Sequence, residues 1–424
     1  MRIEIHLANQ WLHCADLSGE PGSRYQPVRI AYAVDFAVAH LFALDHRALS
    51  VQLPVDLGTR QLSQWPAFLI DLLPQGAARR RLERAGEGLT EWDLLLRGAF
   101  NPAGNLRVVP GEPLPPPRHR PFELGEMLAR GDEFIEHAAR LGATVVGATD
   151  TQGEAPKFWV VRDAEGRWYP DDGRCDDFAV EHALLKFPVP EAGQHAQLML
   201  RTEAAYQRVA RQMGMRVTSE LPEFIEGALL VPRFDRRRRN GVVERLGVES
   251  LYSIAGVIDS AQSALRHDQV LIELSRTLTD FETELREYVQ RDLFNLAVGN
   301  RDNHGRNTAV LKDVDGTLRL APLFDVGPAF LDARALSRVI RWDGEAPGGV
   351  DWPAVLDRLA IRFEEAGTPI DVDFVARCMG DFAERLPQLP ELMRANAVDE
   401  MVIEYRGPEI ERLARSLADM PRTK

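Results

Sequence analysis

The chain has 424 residues, 45% of them hydrophobic, which is enough to build more than one core, so two or three folded units are expected. Its 64 acidic and 51 basic residues leave a net charge of -13, which opposes indiscriminate attachment to nucleic acid or anionic membrane, so that any DNA contact has to come from a local patch. The three cysteines, Cys14, Cys175 and Cys378, are odd in number and far apart, which excludes a disulfide framework and a zinc-finger spacing and leaves reduced thiols as the expectation.

Met1 to His6 alternates apolar and polar residues without the apolar segment of a leader. No stretch reaches the uninterrupted apolar length that spans a bilayer, and a soluble cytoplasmic protein is expected. Residues 1 to 109 mix strand-like runs, Arg2 to Leu7 and Leu106 to Val109, with helical ones, Pro66 to Leu73 and Gln75 to Ala85. From Pro110 to Pro121 the chain reads PGEPLPPPRHRP. Repeated proline removes backbone donors and favours an extended connector, so a boundary is placed near residue 115.

Next comes a polar loop from Val146 to Lys157 that contains Gly147 and Gly153. Its amides can cover phosphates, although it lacks the G-K-[ST] of a P-loop and the full G-x-G-x-x-G. Lys157 to Val161 and His182 to Phe187 are short, apolar and aromatic, as strands are. Lys186 is the only lysine in the second run and can project into a cleft to neutralise phosphate charge. Thr202 to Met213 carries Ala205, Val209 and Met213 at helical spacing and stops at Gly214, and Glu203 at its start can orient Lys186. A further strand is expected at Gly227 to Val231.

After Phe234 the periodic segments lengthen: Leu271 to Leu278, Leu285 to Val298, Pro353 to Glu365, Val372 to Leu386 and Glu409 to Leu417 all read as helices. The four-arginine run Arg236 to Arg239 reads as a solvated loop rather than a nucleic-acid patch, and Trp159 and Trp168 as packing residues. The fold class is therefore α+β. A small mixed N-terminal subdomain (1–115) precedes a strand-rich lobe (116–232) and a helical lobe (233–424), an arrangement that can clamp a nucleotide in a cleft.

The densest chemistry lies in Gly299-Asn300-Arg301-Asp302-Asn303-His304-Gly305-Arg306-Asn307, where an apolar helix pattern runs into a polar loop. Asp302 and Asn307 have the D-x-x-x-x-N spacing in which the aspartate accepts the proton of a substrate hydroxyl and the asparagine amide oxygen coordinates Mg²⁺. Downstream, Leu320-Ala321-Pro322-Leu323-Phe324-Asp325 follows a hairpin signal at Asp313 to Gly316 and presents Asp325 at a strand end. Two hard oxygen ligands, Asn307 and Asp325, suit Mg²⁺ better than zinc.

These segments, with Leu184 to Pro188 (LLKFP) and Arg233 to Arg236 (RFDR), resemble the HipA-like serine/threonine kinases of bacterial type II toxin-antitoxin systems over roughly residues 70 to 420. The resemblance implies a protein-kinase-like fold and ATP with Mg²⁺ as cofactors. It implies Asp302 as catalytic base, Asn307 and Asp325 as metal ligands, and Lys186 on the ATP phosphates. Gly153 and Lys157 fall in the phosphate-covering segment, Pro232, Arg233 and Phe234 form the hinge beside adenine, and His304 is a partner within the loop. Implied partners are a protein substrate in translation, such as an aminoacyl-tRNA synthetase, and a helix-turn-helix antitoxin. Neither a membrane nor nucleic acid outside such a complex is expected. Where the family commonly has an autophosphorylated serine three positions before the glycine, this chain has Asp150, so regulation through that position is not expected; Thr149 and Thr151 are the adjacent hydroxyls. Two other readings remain open: a kinase-shaped binding partner of an antitoxin with little catalysis, and a kinase acting on a small molecule.

Overall fold

The computed structural model describes residues 1–74, 76–86, 88–109, 119–129, 132–141, 157–188, 194–260, 264–332, 337–346, 349–418 and 420. It divides into two compact units. One holds Met1–Val189, Ile225–Ala261 and Ala309–Leu318, and the other holds Pro190–Phe224, Gln262–Thr308 and Arg319–Lys424. The chain passes back and forth between them, so these units cut across a division drawn in chain order.

In the first unit, Arg2–Leu7 lies between Gln10–Gly19 and Leu106–Val108 in an antiparallel sheet that continues through Val28–Tyr32 to Thr59–Leu62. Alternation drives one face inward: Ile3, Ile5, Leu17 and Ile30 join Trp65 and Phe68 in a buried core. A second antiparallel sheet places Lys157–Arg162 between Trp168–Pro170 and Glu181–Lys186, with Ala228–Pro232 on the far side of Glu181–Lys186. Phe158, Val160, Ala183 and Leu185 bury one face of it against Phe122 and Phe134. The opposite face carries Trp159 and Leu184, with Val231 packed beside them.

The arginine run departs from expectation. Arg236–Arg239 is a strand paired antiparallel with Val242–Arg245 rather than a solvated loop. Arg236 is buried and bonds Gly104 O and Asp235, while Arg237 forks onto both carboxylate oxygens of Asp313 at 3.0 and 2.8 Å. Its long-range partners are the carbonyls of Gly104 and Ala179 and the carboxylate of Asp313, which no local pattern reveals.

The second unit is built on helix Phe281–Val298, started by Asp280, whose side chain accepts from Thr283 N at 3.2 Å. It packs against Val372–Ala383 and Glu400–Ala418 and buries Leu285, Val289, Leu293 and Phe294. Helix Gln194–Gln212 begins earlier than its apolar spacing suggests, and the expected segment Val372 to Leu386 stops at Ala383 and resumes as a 3-10 turn at Leu386–Gln388. Among the described residues, no helix is long and apolar enough to cross a membrane.

Candidate active site

The polar loop hangs from the C-terminal end of helix Phe281–Val298. Gly299 takes a left-handed φ of 75°, and a Cβ there would stand 2.8 Å from the Phe330 ring, so both the backbone turn and the close approach require glycine. The last helical carbonyls are taken up by long-range donors. Arg406 bonds Ala297 O at 3.0 Å and Leu296 O at 2.8 Å, and the Tyr206 hydroxyl bonds Val298 O at 3.1 Å. The end of the helix is therefore a fixed mount.

Within the loop each polar residue folds the next. Asn300 bonds Asn295 and receives Asp302 N at 3.3 Å. Asn303 is fully used, its Nδ2 donating to Ile340 O at 2.9 Å and its Oδ1 accepting from Val339 N at 3.0 Å. His304, also buried, accepts the Arg306 N–H at Nδ1, which places the ring proton on Nε2, 3.8 Å from Asp302 Oδ1. Its carbonyl receives Asn307 N at 2.9 Å.

Asn307 completes the loop by donating Nδ2 to the Asp302 carbonyl at 2.7 Å. A carbonyl only accepts, so this contact assigns the amide orientation and leaves Oδ1 as the opposite atom. That oxygen is buried and has no hydrogen-bond partner. An orphan acceptor of this kind costs stability, whereas a hard cation would satisfy it.

Asp325 lies in the same unit and takes φ 53°, the left-handed region that a residue with a Cβ rarely adopts and that concentrates at functional sites. The segment before it is bound to the same helix. Leu320 N donates to Glu284 at 3.0 Å, Ala321 O accepts from Arg291 at 2.7 Å, and Leu323 N bonds Arg216 O at 2.8 Å. From Leu320 beside Glu284 to Ala321 beside Arg291, the chain advances toward the helix C-terminus. The rise from Arg291 to Gly299 is about 12 Å, and the four residues from Ala321 to Asp325 can span up to about 13 Å. Asp325 therefore has the reach to serve the loop's end of the helix.

The first unit holds the other candidates. Lys186 is buried and stands directly across the ladder from Lys157. The pair concentrates positive charge on one sheet face, to which an anion such as phosphate is attracted. Two residues before Lys186, Leu184 faces Val231 beside Trp159, so an apolar surface adjoins the lysine pair on that sheet face. Pro232 ends the neighbouring strand and Phe234 follows it. Arg233 differs from a free hinge residue. Its guanidinium is buried on Asp235 at 2.9 and 2.8 Å and lies 3.8 Å over the Trp159 ring, and its N–H bonds His182 O, so its side chain and amide are both committed. Glu203 is buried in helix Gln194–Gln212 of the other unit. Gly153, Asp150, Thr149 and Thr151 lie outside the described residues.

Sequence reasoning missed the residues that hold this loop from a distance. Arg338 forks onto Asp292 at 3.0 and 3.1 Å, Trp342 Nε1 bonds the same carboxylate at 2.7 Å, and the segment they anchor supplies both partners of Asn303. Burial works to raise the Asp292 carboxyl, but Arg338 and His267 outweigh it and hold it well below the usual carboxylate range. Arg406 was also invisible, since nothing local marks it as the cap of a helix that ends 108 residues earlier in number, at Val298.

A family model for the HipA-like C-terminal domain matches residues 149–386. The protein named "Putative kinase Y4mE" from Sinorhizobium fredii (strain NBRC 101917 / NGR234) is 32% identical over 131 residues. That match covers 29% of this chain and 31% of the relative, so it spans under a third of the relative's length. A chain of the solved Shewanella oneidensis MR-1 toxin-antitoxin complex of HipA, HipB and operator DNA superposes with a TM-score of 0.67 at 18% identity, covering 98% of this chain and 96% of the other. At that identity the likeness is one of fold, and the fold is kinase-like, with a strand-rich and a helical part.

Proposed function

We propose a function from one premise: the chain belongs to the HipA-like C-terminal domain family. It transfers the γ-phosphate of ATP to a serine or threonine hydroxyl of a protein. The observation that carries this reading is the buried, unpartnered Oδ1 of Asn307, held by a bond from the same amide to the residue that would act as base.

Asp302 accepts the proton of the attacking hydroxyl, and His304 Nε2 stands 3.8 Å from its carboxylate. Asn307 Oδ1 and the Asp325 carboxylate would hold Mg²⁺, which when bound neutralises charge on the phosphate oxygens. Lys186 and Lys157 offset phosphate charge, with the Gly153 loop covering the phosphates. The Leu184, Val231 and Trp159 surface, continued by Pro232 and Phe234, takes the adenine; Arg233 acts there by bracing Trp159. No covalent enzyme intermediate is needed, because positioning and charge neutralisation supply the catalysis.

The solved HipA complex contains HipB and operator DNA. On that ground a helix-turn-helix antitoxin is the proposed partner of this chain; a translation factor is the proposed substrate on the family resemblance alone. The decisive experiment incubates the purified chain with labelled ATP and Mg²⁺ against a dephosphorylated cell lysate and, separately, against its metabolite fraction. Label on protein serine or threonine, lost with Asp302→Ala, is the expected result. Label on metabolites alone would move the assignment to a small-molecule kinase, and none in either fraction would favour a binding role.

A further inference from the structure

Outside the candidate active site, His119, Asp172 and Cys175 converge in the first unit. His119 Nε2 lies 3.4 Å from Asp172 Oδ1 and 3.5 Å from Cys175 Sγ, and Sγ lies 3.9 Å from Oδ1. We propose that these three side chains form a structural site for a borderline-soft divalent cation, zinc in the first place.

The argument is geometric. With Zn–N and Zn–O near 2.0 Å, Zn–S near 2.3 Å and tetrahedral angles, ligand atoms stand about 3.3 Å apart for N···O and about 3.5 Å apart for each pair with sulfur. The observed triangle meets two of these edges closely and needs a shift of a few tenths of an ångström on the third. The donor set is one imidazole, one thiolate and one carboxylate, which suits zinc and does not suit Mg²⁺. The Pro170 carbonyl oxygen, 3.8 Å from the same sulfur, is a candidate fourth donor, with water as the other.

The surroundings are those of a supported metal site. Cys175 and Asp172 are buried and His119 is partly so. The Arg174 guanidinium takes the outer oxygen of Asp172 at 2.9 and 2.5 Å, while Oδ1, which also accepts the Arg174 N–H at 3.0 Å, faces the other two ligands with its second lone pair available to a cation. The loop carrying Asp172 and Cys175 is braced. Gly173 takes φ 83° with no room for a side chain beside Asn101, the Asn101 amide bonds Asp171 O at 3.1 Å, and Arg245 bonds Gly173 O at 3.0 Å. Burial pushes the Cys175 thiol up, with Asp171 and Asp172 adding to the effect, so it is no reactive nucleophile; a bound cation would replace its proton. The site would fasten His119, at the start of the segment whose Phe122 bridges Trp168, to the loop that follows Trp168–Pro170.

The test uses the full chain, prepared with zinc and with magnesium in excess to occupy oxygen sites, then dialysed and analysed for metal. One zinc per chain is expected, lost with Cys175→Ser and with His119→Gln and kept with Cys378→Ser. Cobalt in place of zinc should give a thiolate-to-cobalt charge-transfer band in the near ultraviolet that is absent in Cys175→Ser. Because Cys175→Ser alters a buried position, the wild type carries the decision as well: a folded chain that binds no zinc, or a cobalt complex without that band, overturns the site. Retention of full metal by folded His119→Gln also overturns it.

Discussion

Two asparagines four positions apart in the same loop should respond differently to the same truncation. Asn303 is buried with both amide ends satisfied by Val339 N and Ile340 O, so Asn303→Ala removes two hydrogen bonds and strands two backbone groups. At about 1–3 kcal/mol for each stranded group, that loss amounts to about 2–6 kcal/mol. Asn307 is equally buried, but only its Nδ2 is engaged. Asn307→Ala strands the Asp302 carbonyl at a cost of about 1–3 kcal/mol and removes an orphan acceptor whose burial costs a similar amount, so the net change is within about 1 kcal/mol of zero. Urea unfolding of the helical unit, without nucleotide and metal, should show a lowered midpoint for Asn303→Ala and a nearly unchanged one for Asn307→Ala. Adding Mg²⁺ and ATP at a hundred times the dissociation constant should then stabilise the wild type by about 2.7 kcal/mol and leave Asn307→Ala unmoved. Equal destabilisation of the two variants, or equal protection of Asn307→Ala and wild type, would refute the assignment of Oδ1 as a metal ligand.

Asp302→Asn should bind nucleotide as the wild type does while transfer falls about 10²- to 10⁴-fold; calorimetry beside a phosphotransfer assay checks both, and transfer within threefold of wild type would count against the base. Asp292 contributes stability that is fully present above the unfolded carboxyl value of about 3.9 and is lost as pH falls toward its depressed folded value. The stability gap between wild type and Asp292→Asn should therefore begin to narrow below about pH 4, as read by urea midpoints from pH 7 downward, and a gap that stays constant would contradict the buried pairing with Arg338. Incubation with Mg²⁺ and ATP should leave residues 146–157 unphosphorylated, because aspartate at 150 forms no stable phosphoester; one added phosphate on Thr149 or Thr151 by intact and peptide mass spectrometry would reverse that expectation.

The kinase-like fold was legible because its strongest signals are local. Lys157 to Val161 and His182 to Phe187 declare strands by composition, Leu285 to Val298 declares a helix by period, and Gly299 marks its end. The N-terminal sheet was only partly legible. Gln10–Gly19 reads QWLHCADLSG, where polar residues interrupt the alternation, and it becomes a strand because Arg2–Leu7 and Val28–Tyr32 pair with it on both sides. Helix Glu400–Ala418 was hidden at its start because Gly407 and Pro408 sit inside it. The site showed the same divide. The D-x-x-x-x-N spacing exposed the ends of the loop, while the triangle of His119, Asp172 and Cys175 joins His119 to a pair more than fifty positions further on and has no motif.

The unexpected part of the second unit is the polarity of its central helix. Glu284, Glu287, Arg291 and Asp292 are all buried on Phe281–Val298, where an apolar stripe would be more stabilising. Between them they reach several distant segments. Glu284 and Glu287 hold Arg216 through its guanidinium and its N–H, Arg291 holds Ala321 O, and Asp292 holds Arg338 and Trp342. An apolar helix could bury the same area without specifying which segment lies where, whereas these ion pairs fix both the approach to Asp325 and the segment that grips Asn303. A loop pinned in this way resists relaxing to give Asn307 Oδ1 a protein donor, which is how an unsatisfied oxygen persists in a buried position, where the proposed cation would meet it.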